Sequence, residues 1–229
     1  MNQDFELFAD VRDMFALHAM LRREFTSVSN LVRRVDDGDR LQAEAVAGHL
    51  DLIGALLDQH HSREDEHVWP RLQERVTAET APLSSVTEAL REDLHHRYEQ
   101  VSAALDDWRA GWSTAGRDAL AGALEGLSPV LEQCLAQEEE HVVPLVEKYI
   151  SAAECRLLAG TYREQTAPEL LPMIFGMLMF DGVPDVGEDI LAEMPQQVQS
   201  GIRQLVSQAR ADHVDKLSGT PAPPQVTVV

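Results

Sequence analysis

Through the first 150 residues, apolar side chains recur every three or four positions, and almost nowhere in the strict alternation of a half-buried strand. The first stripe, within residues 4–35, runs Phe8, Val11, Phe15, His18, Leu21, Phe25, Val28 and Val32, and Asp36-Asp37-Gly38 ends it. The second, over residues 40–76, carries Val46, Leu50, Ile53, Leu57, His60, Glu64 and His67. A Pro-containing stretch, TAETAPLS, reads as a loop, and Ser85-Val-Thr-Glu88 reads as a capping box opening a third helix. That helix carries Leu90, Leu94, Tyr98, Val101, Leu105 and Trp108 and stops near Gly111. A fourth, over residues 115–150, carries Leu120, Leu124, Leu127, Leu131, Cys134, Glu138, His141 and Leu145. Four long amphipathic helices joined by short connections predict an all-α fold, an antiparallel up-down four-helix bundle over residues 1–150.

Beyond Ser151 the pattern shortens. Helical pieces near 152–164, 168–180, 185–193 and 196–216, separated by Pro168, Gly182-Val-Pro184 and Pro195, predict a helical appendage over residues 151–217. The apolar run at 170–180, with Met173, Met177 and Met179, is expected to seal the bundle or to form a homodimer contact. It is too short for a membrane span, which needs about 20 residues. The Pro-rich residues 218–229 read as a disordered tail.

Charge narrows the partners. With 19 Lys and Arg against 39 Asp and Glu, the net charge of −20 repels phosphate backbones and argues against nucleic acid. Asp4, Glu6 and Asp10 interrupt any basic-then-apolar leader, and Cys134 and Cys155 make no disulfide framework, so a reducing cytoplasm is the expected location.

The apolar stripes are broken at corresponding heights by groups that can hold a metal. His60 and Glu64 are one turn apart on the second stripe, Cys134 and Glu138 on the fourth, while His18 breaks the first and Tyr98 lies on the third. An isolated core His is ordinarily just hydrogen-bonded, and a Glu at a stripe edge reaches out to water. Four helices broken at one level are much harder to obtain by chance. Two inward carboxylates would each carry a burial cost and would repel each other, and a bound cation relieves both. Carboxylate with imidazole suits iron or manganese better than a structural zinc site. The remaining His49, His61 and His96 read as solvated, and His213 falls in the appendage.

Two nine-residue phrases, EDEHVWPRL at 64–72 and EEEHVVPLV at 138–146, repeat Glu-x-x-His-x-x-Pro. The prolines, Pro70 and Pro144, cannot donate to the carbonyls four residues back, which predicts a kink or a near-end of each helix just past the candidate ligands.

With LHAMLRREF placing His18 on helix one and HHSREDEHVWP placing His60 and Glu64 on helix two, residues 8–150 resemble the hemerythrin-like, HHE cation-binding family. The resemblance implies a four-helix bundle around a non-haem di-iron site, with His and His-x-x-x-Glu ligands from its helices. It also implies departures here. Alignment through Pro144 sets Cys134 at the helix-four His, and Gln137 replaces another His. Tyr98, rather than His95 or His96, has apolar residues at +3 and +7 as the helix-three ligand does.

Three readings stay open. Tyr98 and Cys134 could ligate a second metal. The site could be mononuclear, with His18, His60, Glu64 and Glu138. It could also have slipped one turn, to the Glu64-x-x-His67 and Glu138-x-x-His141 pairs of ferritin-like bundles with His95 at the same end, or with His67 and His141 only hydrogen-bonding the carboxylates. The function expected from the resemblance is a non-haem iron protein (Fe2+/Fe3+, with Mn or Zn as alternatives) that meets O2, H2O2 or NO. Its roles would be redox or peroxide-decomposing. The alternatives are a non-enzymatic O2, NO or iron sensor or store, and a metal-free helical assembly protein.

Overall fold

The computed structural model describes residues 11–155, 167, 169–181 and 196–219, and it is all-α among them. Seven helices are described: α1 Arg12–Arg34, α2 Arg40–Arg63, α3 Trp69–Gly111, α4 Thr114–Gln137, α5 Val143–Tyr149, α6 Leu171–Asp181 and α7 Gln196–Leu217. The expected helix at 185–193, the tail from residue 220 and the Met179 side chain lie outside the described residues.

Caps explain two of the starts. Asp39 accepts from the Gln42 amide at the head of α2, and Ser113 accepts from the Gly116 amide at the head of α4. Between α3 and α4, Trp112 takes a left-handed conformation (φ 46°) that turns the chain back. Cross-helix pairs then fix the directions. Arg22 meets Glu132 and Arg33 meets Glu125, so α1 and α4 run oppositely. Arg91 reaches Glu64, and the Tyr98 ring lies on Gly54, so α3 runs back along α2.

The reversal between α2 and α3 is not made by the expected loop. TAETAPLS is helical, and the break is one residue, Val76, at φ −141° and ψ 49°. Side-chain hydroxyls take up carbonyls around it: Thr77 donates to Gln73, Thr80 to Val76 and Ser84 to Thr80. Ser85 likewise donates to the carbonyl of Pro82 inside the helix, so the expected capping box does not form.

The interior has two apolar parts with a polar layer between. A large core includes Leu21, Phe25, Leu50, Ile53, Leu105, Trp108, Leu124 and Leu131. A smaller one joins Val68, Trp69, Leu72 and Val76 to Val142, Leu145, Val146 and Ile150. Along α2 and α4 the sequence passes from one cluster to the other through His60–Glu64 and Cys134–Glu138, so these groups are buried by construction. The appendage helices α6 and α7 pack on each other and against α1 and α2.

Candidate metal centre

Each repeated phrase folds as a widened, π-helical turn, Glu64–Val68 and Glu138–Val142. The Trp69 amide donates to the Glu64 carbonyl and the Val143 amide to that of Glu138, five residues back in both. A proline one residue later can neither donate to, nor sit close under, the carbonyl four back, and a wider turn accommodates it. The expected kink is therefore a bulge just before each proline, and each helix continues.

Inserting a residue in this way rotates everything downstream. Without it, His67 and His141 would stay on the inward stripes; with it, Val68 and Trp69, and Val142 and Val143, take the inside. The His67 side chain is 32% exposed beside Glu66, and that of His141 is 45% exposed beside Glu140. His95, 73% exposed, also points away. The slipped-site residues are thus not brought together.

His18, His60 and Glu138 are brought together, their ligand atoms within 4.8 Å of one another, and Glu64 stands beside His60, each of the four almost wholly buried. The two imidazole Nε2 atoms face each other at 3.0 Å. Glu138 Oε2 lies 3.6 Å from His18 Nε2 and 3.5 Å from His60 Nε2, and Glu64 Oε1 lies 3.7 Å from His60 Nε2. Those same two oxygens, Glu64 Oε1 and Glu138 Oε2, are buried without a hydrogen-bond partner among the described residues. On its other side His18 places Nδ1 3.0 Å from Glu139 Oε1, and Arg22 also donates to Glu139. An Nδ1–H given to Glu139 leaves the inward His18 Nε2 with its lone pair, the orientation a metal-binding imidazole needs.

The outer oxygen of each carboxylate is held by Arg91, a residue the sequence reading passed over. Its guanidinium donates to Glu64 Oε2, to Glu138 Oε1 at 3.0 Å and to Asp65 at 2.6 Å. The signal was present: Arg91 precedes Leu94, Tyr98, Val101, Leu105 and Trp108 at alternating steps of three and four. Burial would push Glu138 up, but His60, 3.5 Å away, and the charge of Arg91 hold it well below the usual carboxylate range. Burial pushes His60 down.

Tyr98 is not part of this group. It stands two turns from Arg91, with its hydroxyl so close against Gly54 that no side chain could replace that glycine's hydrogen. Its ring meets Phe25 edge-on, and burial, with Asp51 and Asp58 nearby, raises its pKa. Cys134 does reach the centre, with Sγ 3.9 Å from Glu138 Oε1, and burial pushes its thiol up to about 12. His61, expected on a solvated face, also turns inward, with Nε2 3.9 Å from the same oxygen. Burial, and then His60, lowers His61 to about 3. His49 is likewise buried rather than solvated, because α7 covers it.

The hemerythrin HHE cation-binding domain matches residues 9–154, well over half the chain. The chain belongs to that family. Among curated relatives, uncharacterized proteins of Mycobacterium bovis and Mycobacterium tuberculosis are 26% identical to it over 183 residues, covering 78% of this chain and 67% of theirs. No solved structure gives a significant match. The unpartnered oxygens, the paired imidazole nitrogens and the mixed N/O donor set fit the cation that the hemerythrin family binds. No described helix is long and apolar enough to cross a membrane.

Proposed function

We propose that this hemerythrin-family chain is a cytoplasmic non-haem iron protein holding one iron between His18, His60, Glu64 and Glu138 for reaction with dioxygen or peroxide. The observation that carries it is the pair of buried, unpartnered carboxylate oxygens facing two imidazole nitrogens. Such acceptors are costly to bury unless something cationic meets them. Arg91 supports a mononuclear reading, because its charge already compensates the outer oxygens of both carboxylates.

Bound iron supplies the redox couple for reduction of dioxygen or peroxide. The protein's own part is positional and electrostatic. Glu139 orients His18, and Arg22 in turn anchors Glu139, which burial would push up but His18 and Arg22 hold down at about 2. The apolar clusters on either side exclude bulk water. Burial of all four ligands restricts the reactant to a molecule of a few atoms, the class to which O2, H2O2 and NO belong.

Metal analysis and optical spectroscopy of protein produced with iron test this reading. About one iron per chain is expected, lost in His60→Ala together with any peroxide decomposition. Absence of bound Fe, Mn or Zn, with unchanged stability in His60→Ala, overturns it. Two irons with oxo-bridge absorption overturn the mononuclear form.

A further inference from the structure

The appendage is tied to the bundle by a line of charge and imidazole that crosses α1, α2 and α7. On α1, Arg23 donates to Glu24 Oε1 at 2.6 Å and to the Met177 carbonyl of α6 at 3.0 Å. Glu24 Oε2 stands 3.2 Å from Nε2 of His49, a buried residue of α2. The other nitrogen of that ring, Nδ1, lies 2.9 Å from Nε2 of the half-buried His213 on α7. Beside this line, Gln42 donates to the Leu217 carbonyl, and the side chains of Met177 and Leu217 enter the large core. The two appendage helices are closely fitted to each other, since a Cβ on Gly176 would come to 3.3 Å from the Val206 carbonyl oxygen. They attach as a pair.

Between the two rings there is room for one hydrogen. A bond there needs one ring nitrogen as an N–H donor and the other as an acceptor. One added proton still leaves a donor and an acceptor. A second makes both rings imidazolium, and two N–H groups of like charge then meet at 2.9 Å. Burial, with His49 beside it, lowers His213 to about 4. Glu24 of α1, beyond His49 and braced by Arg23, favours a charge on His213, and Lys216 of α7 opposes one. From α6 the group receives a backbone carbonyl, that of Met177.

We propose that Glu24, His49 and His213 form an acid-released latch, in which the α6–α7 pair leaves the α1–α2 face as one unit when both rings carry a proton, while the rest of the bundle stays folded. Once released, His213 titrates as an ordinary imidazole near 6.5, against about 4 when docked. Docking is therefore strongest above about 6.5 and weakens as pH falls from there to about 4. The latch is independent of the metal centre.

Hydrogen exchange of the full chain at about pH 7 and about pH 5, resolved by segment and corrected for the intrinsic rate, tests it. Between the two, the opening of residues 171–178 and 196–217 should grow by roughly twentyfold, the ratio set by 6.5 and about 4, while residues 46–57 and 120–131 change much less. H213Q, whose amide N–H can still donate to His49 Nδ1 but does not titrate, should keep the appendage closed at both pH values. An equal change in all four segments, no change in any, or an undiminished response in H213Q each overturns the latch. Where the glutamine does not hold α7, the native chain decides. Its His213 ring, followed by NMR, should titrate below 6.5, and an ordinary midpoint overturns the proposal.

Discussion

The molecule buries two groups of histidine and glutamate, and they are built for opposite ends. In one, His18, His60, Glu64 and Glu138 leave two carboxylate oxygens unpartnered. In the other, where the appendage meets the bundle, nothing comparable is left over on the carboxylate. Arg23 donates to Glu24 Oε1 at 2.6 Å, His49 Nε2 stands 3.2 Å from Glu24 Oε2, and His213 of α7 reaches His49 Nδ1 at 2.9 Å. Arg23 also donates to the Met177 carbonyl of α6, and Gln42 to the Leu217 carbonyl of α7. The residue types are the same, but the spare acceptors are not. Around Glu24 the carboxylate oxygens face Arg23 and His49 and the group serves as a joint, although His49 Nε2 makes no hydrogen bond of its own; at Glu64 and Glu138 it is acceptors that are left over, and these make a binding site.

The contrast can be broken most forcefully at Arg91. Arg91→Ala leaves Glu64 and Glu138 buried without their counter-charge, and a loss of about 3–5 kcal/mol is expected in denaturant unfolding of the metal-free protein. Added Fe2+ or Co2+ should recover part of it, because a cation replaces the missing charge. Equal destabilisation with and without metal would mean that Arg91 and the metal do not share these carboxylates.

At the joint the expected effect is smaller and follows pH. Burial, with His49 beside it, lowers His213 to about 4, against an ordinary value of 6.5. Between those values the unfolded chain binds a proton that the folded chain refuses, so stability falls as pH drops from about 6.5 to about 4 and levels off below. His60 and His61 add to this loss, so the informative quantity is the difference between the native chain and His213→Gln, which should be shallower across that window. Glu139 acts lower: its depressed value stabilises the fold above about 4.5, and that share is lost as pH falls toward 2. Parallel pH profiles in the two proteins would remove His213 from the joint's energetics.

The smallest effect is expected at Tyr98, which belongs to neither group. Tyr98→Phe should leave metal content and the visible spectrum unchanged and cost about 1 kcal/mol or less. Loss of a visible band in this variant would return the phenol to the centre.

These differences also show what the sequence could and could not carry. His18, His60, Glu64 and Glu138 were visible because each breaks an apolar stripe at the level where the others do, and stripes survive folding. Tyr98 shares that stripe logic but stands at another height. It sits seven residues from Arg91, about 10 Å along a helix. Arg91 was missed because arginine on a stripe reads as a solvated edge until its carboxylate partners, 27 and 47 residues away in sequence, are seen beside it. His49 and His61 were misread for a related reason. Their burial depends on α7 and on α4, and a helix's own periodicity does not record which neighbour covers its flank. The one-residue corner at Val76 was equally hidden, since Thr and Ser hydroxyls closing a bend look like ordinary loop composition.

The widened turns have a consequence for how the chain may be shortened. Each holds one residue more than an ordinary helical turn would, and the widened turn absorbs that residue so that both apolar clusters stay in phase. Deleting Glu66 or Glu140, whose side chains are 67% and 76% exposed, should restore a regular turn and leave Trp69, Leu72, Val142 and Val146 still facing inward. Hydrophobic phasing alone thus does not require the surplus residue. It sets instead the width of the helix at the two glutamates, and a chain one residue shorter at either place would keep its core and change its grip.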